Sequence, residues 1–264
     1  MNIYPNAYYN YRKMRKTEYL KRKSEIMDMI KTIYHEHSGV VGYRMIKIYL
    51  ERRGIHLSNL TVLRYMQQLG LKSIVRPKRP EYLRGKAHRV FPNLLEQDFS
   101  CEEINTKWVT DFTYLRLKNG DMRYNCTILD LHDRCVISSI TDRSITAELA
   151  KRTLEKALLS QAEIKGVLIL HSDQGSQYTS KEFVEYCESV NVTQSMSKAG
   201  YPYDNSPMER YFNTLKNELI YQHDYKSEQE LYEAIESFAY VAYNHVRPHA
   251  YNNYRTPFEA RYSA

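Results

Sequence analysis

Residues 107–131, KWVTDFTYLRLKNGDMRYNCTILDL, contain the clearest structural signal in the chain. Two apolar runs, 107–117 and 122–131, flank Lys118-Asn119-Gly120-Asp121. An Asn-Gly pair between apolar runs is a strong β-hairpin signal, because both residues tolerate the positive φ of a tight turn. The segment therefore predicts two antiparallel strands to which the remaining elements can be related.

The residues after this hairpin predict an α/β fold. Residues 135–141 predict a third strand, and residues 166–173, with Val-Leu-Ile-Leu, predict a short buried strand of the parallel type. The other predicted elements are helices at 144–159, 180–190, 206–221 and 227–243 and a last strand at 192–197. Three meandering strands followed by alternating helices and strands are the element order of a ribonuclease-H-like mixed sheet with flanking helices, although other α/β layouts share parts of it.

Residues 1–75 predict a small basic helical module. Helical patterns cover 17–35, 43–53 and 58–69, and Gly54 and Gly70 follow the last two as helix-ending glycines. Helix-turn-helix units have this form, and so do plain helical bundles. Arg44 and Arg64 give the module positive charge and are candidate DNA-binding residues.

Residues 76–100 predict a basic, proline-containing linker between this module and a core at residues 101–264. Residues 76–92 contain six cations and three prolines, a composition that does not suit a packed core. Lys78, Arg79, Arg84 and Lys86 are candidates for contacts to phosphates along an extended segment. A solvated tether without any ligand explains the same composition equally well.

The charge of the chain is unevenly distributed. Residues 1–100 carry 20 Lys and Arg against 8 Asp and Glu, whereas the remaining residues carry 18 against 23. A basic N-terminal part and an acidic C-terminal part suggest a module that binds a polyanion, joined to a site that needs carboxylates. Basic surfaces are also common on ordinary proteins, so charge alone does not establish nucleic-acid binding.

Several functional classes are excluded by missing motifs. The four cysteines show no CxxC spacing, which predicts reduced thiols in a cytoplasmic protein and no zinc site. The sequence contains no run of about 18 apolar residues, so no membrane span is predicted. The N-terminus lacks the apolar region of a signal peptide. Walker and dinucleotide glycine motifs are absent, and Ser172 and Ser176 lack the base and orienting group of a serine hydrolase.

Three acids occupy the settings in which a metal site could form. Asp111 lies inside the first predicted strand, Asp173 ends the predicted parallel strand, and Glu209 opens a helix, with 35 residues between Asp173 and Glu209. If these elements converge at one edge of the sheet, the three carboxylates could hold two hard cations such as Mg²⁺ or Mn²⁺. Paired metals suit phosphodiester chemistry.

Each acid also has a purely structural explanation. Asp111 could form a salt bridge with a nearby cation, and Asp173 could close an Asx turn. Glu209 fits a capping box, with Ser206 as the cap and Pro207 as the first helical residue. Lys216, seven residues after Glu209 on the same helix face, is either a phosphate-binding cation or a solvated surface lysine. Spacing alone does not exclude other acids near turns, namely Asp121, Asp130, Asp133, Asp142 and Asp204.

Five motifs taken together resemble a known family. They are WVTDFTY at 108–114, ILDL at 128–131, HSDQGSQY at 171–178, YDNSPME at 203–209 with FNTLK at 212–216, and YNHVRPH at 243–249. In this order and spacing they resemble bacterial insertion-sequence transposases of the retroviral-integrase type, over residues 30–262. More specifically, the chain resembles the protein that is read from the second reading frame of two-frame elements.

This resemblance implies a catalytic core of the integrase type that acts on DNA. The family's catalytic and metal-binding acids fall on Asp111, Asp173 and Glu209, which would bind two Mg²⁺ or Mn²⁺ ions, and its basic residue falls on Lys216, expected to contact DNA. Asp130 matches a position that the family does not use as a ligand. Metal-dependent nicking at the 3′ ends of an insertion sequence, followed by strand transfer, is the implied activity, and the joining of two ends implies a homo-oligomer on DNA.

Two other functions stay open from the sequence. A DNA-binding regulator with an inactive core would bind DNA without cutting it, and a hydrolytic ribonuclease-H-like nuclease would cut but never join. In the family the complete transposase is usually a frameshift fusion with an upstream-frame protein. Because this sequence starts at Met and has no heptad run, we expect an upstream-frame protein as a fusion or a partner.

Overall fold

A computed structural model describes residues 5–74, 89–161, 164, 166–198 and 201–262. The chain divides into two compact units, Met1–Pro77 and Lys78–Ala264. The predicted linker cations Lys78, Arg79, Arg84 and Lys86 lie outside the described residues.

The first unit is helical. Its helices are α1 (Pro5–Arg12), α2 (Arg15–Glu36), α3 (Tyr43–Arg52) and α4 (Asn59–Gln68). Apolar side chains from α2, α3 and α4 form one core, which includes the fully buried Ile30, Ile46 and Val62. Ser58 caps α4 as predicted, since its Oγ accepts a hydrogen bond from the Thr61 amide at 3.2 Å.

The second unit is built on a five-stranded mixed sheet. Its strands are β1 (Lys107–Arg116), β2 (Met122–Asp130), β3 (Val136–Asp142), β4 (Leu168–Ser172) and β5 (Val192–Met196), in the spatial order β3-β2-β1-β4-β5. The first three strands are an antiparallel meander, whereas β4 pairs in parallel with both β1 and β5. The predicted hairpin is present: Gly120 has φ +98°, and Leu117 and Asp121 face each other across the turn.

Five helices flank this sheet, and they are α5 (Ala147–Leu159), α6 (Lys181–Ser189), α7 (Ser206–Glu218), α8 (Glu228–Ser237) and α9 (Pro257–Tyr262). Two cores result, because successive strand residues point to opposite faces. One core contains Trp108 and residues of α5 and α6, and the other contains Val109 and residues of α7 and α8. The sheet is therefore covered on both faces, as the apolar strand β4 predicts.

Several predicted boundaries differ from the structure. The predicted helix 227–243 is α8 followed by a π-helix, Phe238–Val246, and the predicted helix 206–221 ends at Glu218 before a short 3-10 turn, Ile220–Gln222. Helices α1 and α9 were not predicted. The last part of the predicted linker is also packed, because Leu95 lies in the core beneath α7 and α8.

Candidate active site

The pairing of β1 with β4 determines where the first two acids lie. These strands run in parallel, with Trp108 beside Leu170 and Val109 beside His171. Continuing this register by two residues brings Asp111 level with Asp173, and adjacent strands are separated by about 5 Å. Both residues are partly exposed, whereas Thr110 and Ser172 before them are buried. We therefore expect the two carboxylates to emerge at the same edge of the sheet, where α/β folds commonly place their sites.

The hydroxyl of Tyr178 provides an independent sign that the two acids share one environment. Tyr178 is buried, and its hydroxyl lies 3.0 Å from Thr110 Oγ1. Burial raises the pKa of Tyr178 well above its usual value, and the negative charges of Asp111 and Asp173 raise it further. Both carboxylates thus lie within electrostatic range of the same hydroxyl.

Backbone amides orient both carboxylates. Oδ1 of Asp111 accepts a hydrogen bond from the Phe112 amide at 2.7 Å, and Oδ1 of Asp173 accepts one from the Gly175 amide at 2.9 Å. The second bond is the predicted Asx turn. A Cβ atom at Gly175 would lie only 2.8 Å from Asp173 Oδ1, so this turn admits only glycine without moving the carboxylate.

Glu209 lies in the first turns of α7 and is exposed. The predicted capping box is wrong: Ser206 is already helical, the N-cap is Asn205, and no side chain caps this helix. The physical reason is a 3-10 turn, Pro202–Asn205, which leads into α7 without the extended cap residue that a capping box requires. The predicted cap at Ser206 therefore does not account for a glutamate at position 209.

Asn205 links α7 to β1. Its Nδ2 donates a hydrogen bond to the carbonyl oxygen of Thr110 at 3.1 Å. Thr110 precedes Asp111, and Asn205 lies four residues before Glu209. The helix that carries Glu209 therefore starts beside the strand that carries Asp111.

No complete metal site is formed by protein side chains alone in the described residues. Among them, no three His, Cys, Asp or Glu side chains come close enough together to hold a metal ion. The structure thus brings Asp111 and Asp173 to adjacent strands, and the convergence of all three acids stays a prediction. The donor chemistry nevertheless fits Mg²⁺, which is commonly bound through one or two carboxylates and completed by water and substrate phosphates.

Comparisons with known proteins agree with this fold. Residues 102–202 match an integrase core domain family, residues 190–257 match a second integrase core domain family, and residues 21–79 match an HTH-like domain. The chain is 32% identical to the putative transposase InsK for insertion sequence element IS150 of Escherichia coli, over 91% of this chain and 82% of that protein. It is also 32% identical to the transposase for insertion sequence element IS904 of Lactococcus lactis, over 88% of this chain and 91% of that protein.

The chain belongs to the insertion-sequence transposase family.

The fold of this transposase is the predicted ribonuclease-H-like fold of an integrase catalytic core, preceded by a helical HTH-like region. A chain of the simian T-cell lymphotropic virus intasome, solved in complex with the PP2A regulatory subunit B56 gamma, is similar with a TM-score of 0.52 and 18% identity. The similarity covers 89% of this chain and 75% of that chain, and it concerns the fold alone. None of the helices in the described part of the transposase is long and apolar enough to cross a membrane.

The other acids near turns are engaged elsewhere in the transposase. Asp130 and Asp133 are completely buried and share Arg261, while Asp204 is buried and accepts hydrogen bonds from Asn93 and Gln97. Asp142 pairs with Arg152, Asp121 closes the hairpin with Asn119, and Glu218 binds Arg247 through a two-pronged salt bridge. These contacts give each of the competing acids a structural explanation.

The three predicted DNA-binding residues that the structure describes lie on helices. Arg44 is exposed on α3 and Arg64 is exposed on α4, while Lys216 is partly exposed on α7. Lys216 lies seven residues after Glu209, which is nearly two helical turns, so the two side chains share one face of α7. Their contacts to DNA stay predictions.

Sequence reasoning did not identify three residues that shape the site, namely Tyr178, Gly175 and Asn205. Gly175 had a local signal, because glycine after an Asp-Gln pair at a strand end marks a tight turn. Tyr178 and Asn205 had none, because their partner, Thr110, lies 68 and 95 residues away along the chain.

Proposed function

We propose that this chain is a DNA transposase that nicks DNA at the 3′ ends of an insertion sequence and joins the freed ends to target DNA. The observation that carries the proposal is the parallel pairing of β1 with β4, whose register brings Asp111 level with Asp173. The link from Asn205 to Thr110 adds α7, the helix of Glu209, to the same edge of the sheet. Membership of the insertion-sequence transposase family supports the same activity.

Asp111 and Asp173 would hold Mg²⁺ or Mn²⁺, and Glu209 would contribute to a second ion from the facing helix. Such a pair of cations, when bound, activates the attacking water or hydroxyl and stabilises the leaving 3′ oxygen. The Gly175 amide bond to Asp173 and the Phe112 amide bond to Asp111 would hold the two carboxylates in a fixed orientation for such a cation.

The remaining side chains suit direct transfer without a covalent protein–DNA intermediate. Tyr178 has a buried hydroxyl near the acids, and its raised pKa keeps it protonated and weakly nucleophilic. Lys216 would bind a phosphate of the donor end on the face of α7 that carries Glu209. Since two element ends must be joined in one reaction, we further propose that a homo-oligomer assembles on DNA, with an upstream-frame protein as a possible partner or fusion.

The test uses three single substitutions, Asp111→Asn, Asp173→Asn and Glu209→Gln. Glu185→Gln is the matched control, since Glu185 is an exposed acid on α6 whose carboxylate lies 3.6 Å from Lys181. A labelled duplex that ends in the element's terminal sequence is incubated with Mg²⁺ or Mn²⁺. Each site variant is expected to lose cleavage by more than about 10²-fold, as when a group that stabilises developing charge is removed, with DNA binding and thermal unfolding unchanged.

Four results would contradict the proposal. Strong cleavage by any of the three variants would show that the substituted acid is not part of the site. Undiminished cleavage in EDTA would show that the reaction does not need a metal ion. If the wild-type protein never joins a pre-cut labelled end to a target, the result would favour a hydrolytic nuclease. If it binds DNA without cutting it, the result would favour a regulator.

A further inference from the structure

Asp204 and Asn205 are both buried at the point where the chain enters α7. Asp204 accepts hydrogen bonds from the Asn93 side chain at 3.0 Å, from the Gln97 side chain at 2.8 Å and from the Lys198 amide at 2.9 Å. These bonds hold the loop before α7 against the segment that precedes the sheet. The next residue, Asn205, forms the bond to Thr110 described above.

The bond of Asn205 spans 95 residues of sequence and joins two elements of the proposed site. One end of the bond is Thr110, the residue before Asp111. The other end is Asn205, which lies four residues before Glu209, a distance of about 6 Å along a helix axis. A shift of the first turn of α7 relative to β1 would therefore change the separation of Glu209 from Asp111 almost directly.

We propose that Asn205 is a positioning residue for the transposition reaction, and that it sets the distance between Glu209 and Asp111. This inference rests on the proposed function, because it assigns Asn205 a role toward the acids that would hold the metal ions. Asn205 acts through α7 and β1, without contact to DNA.

The hydrogen bonding of Asn205 favours a role in geometry over a role in stability. Its Nδ2 is satisfied by Thr110, but its Oδ1 is buried and finds no donor among the described residues. An acceptor buried without a donor costs stability, so one half of the amide offsets what the other half contributes. The net effect of Asn205 on folding is therefore small, whereas its effect on the position of α7 is direct.

Asn244 provides a matched control. It is also a buried asparagine that ties a helix to a strand, and both halves of its amide are satisfied: Oδ1 accepts from the Val136 amide and Nδ2 donates to the Val136 carbonyl, each at 2.9 Å. It links the π-helix to β3. Leucine has the same branching of heavy atoms as asparagine but a larger volume, so it removes the hydrogen bonds at either position while keeping the space filled.

The experiment compares Asn205→Leu and Asn205→Ala with Asn244→Leu in three measurements. They are the urea midpoint of unfolding, hydrogen exchange of the amides in 206–210, and the binding of Mn²⁺ alone followed by calorimetry. Cleavage of the labelled end is then measured with saturating DNA to separate kcat from KM.

Opposite rankings in stability and activity are expected. Asn244→Leu lowers the urea midpoint more, because it leaves a buried amide and a buried carbonyl of Val136 unpaired. Asn205→Leu lowers kcat by about 10²-fold with KM for DNA nearly unchanged, as expected for a displacement of about 1 Å at a reacting centre. It also speeds exchange in 206–210 and weakens Mn²⁺ binding, whereas Asn244→Leu does neither.

The positioning role is overturned if both Asn205 variants keep wild-type kcat. It is also overturned if their loss of activity is in the same proportion to their loss of stability as it is for Asn244→Leu. It is also overturned if exchange in 206–210 is unchanged, since α7 would then not depend on this bond. Failure of the proposed function is distinguishable, because it appears as a wild-type protein that does not cleave or as an active Asp111→Asn variant.

Discussion

Arg261→Met would remove the guanidinium that neutralises two completely buried carboxylates. Nη1 of Arg261 lies 2.6 Å from Asp133 and 3.1 Å from Asp130, and Nη2 donates to Asn105 at 2.7 Å and to Gln161 at 2.8 Å. The Arg261 side chain is 5% exposed and both carboxylates are 0% exposed. Methionine keeps most of the apolar stem and removes the charge and the donors.

Breaking a buried ion pair by removing one partner costs about 3–5 kcal/mol, because an uncompensated charge stays in the interior. We expect a loss in this range for the free energy of unfolding of the second unit at pH 7.5. The value belongs at the upper end, since a single cation serves two acids here.

The loss is expected to depend on pH in a defined direction. Burial and the charge of Asp130 raise the pKa of Asp133 and Arg261 lowers it, and the net result is a pKa of about 6. An acid whose folded pKa exceeds its unfolded value contributes stability at low pH, and this contribution is lost as the pH rises through the folded pKa. Without Arg261 the folded pKa of Asp133 rises again, so the variant is destabilised less at pH 5 than at pH 8.

Urea unfolding followed by tryptophan fluorescence measures this effect, because Trp108 is the only tryptophan and is fully buried in the sheet unit. Arg247→Met is the control: its partner Glu218 is 23% exposed, so a smaller loss of about 1 kcal/mol is expected. A loss below about 1 kcal/mol for Arg261→Met, or a loss that is larger at pH 5 than at pH 8, would refute the reasoning about buried charge.

Three further predictions follow from local geometry. Gly175→Ala should reduce cleavage with little loss of folding, because its Cβ would displace the Asp173 carboxylate. The control is Gly42→Ala, where a Cβ meets nothing within 4 Å. Equal cleavage activities of the two variants would contradict the orienting role of the turn. Ser58→Ala should destabilise the helical unit by about 1 kcal/mol through loss of the α4 cap, measured by circular dichroism, and an unchanged unfolding midpoint would count against the cap. Replacing Lys78, Arg79, Arg84 and Lys86 together with glutamine should flatten the salt dependence of DNA affinity in a titration against KCl; an unchanged slope would show that these residues do not contact phosphates.

The strands of the second unit could be predicted because their signals are local. Alternating and continuous apolar runs with an Asn-Gly turn defined β1 and β2, and the run Val-Leu-Ile-Leu defined β4. Helix ends were less predictable where the helix type changes without a cap or a glycine. The π-helix after α8 is an example, because its residues are as apolar as those of an ordinary buried helix.

The candidate site shows the same division. Each acid could be explained locally, and for Asp173 the local explanation is present in the structure as an Asx turn. For Glu209 it is absent, since α7 starts from a 3-10 turn. The sequence therefore supplied the candidates, but only the resemblance to a family ranked Asp111, Asp173 and Glu209 above the other acids.

By itself the sequence determined the order of the five strands and of helices α2 to α8 along the chain, the basic character of the first hundred residues and the hairpin turn, because neighbouring residues encode each of these features. Only the tertiary structure decided that Asp130 and Asp133 are neutralised by Arg261 and that Asn205 joins α7 to β1. Those contacts connect residues about a hundred positions apart. A local pattern carries no information about such a partner, and packing of the whole sheet unit is what brings the two ends together.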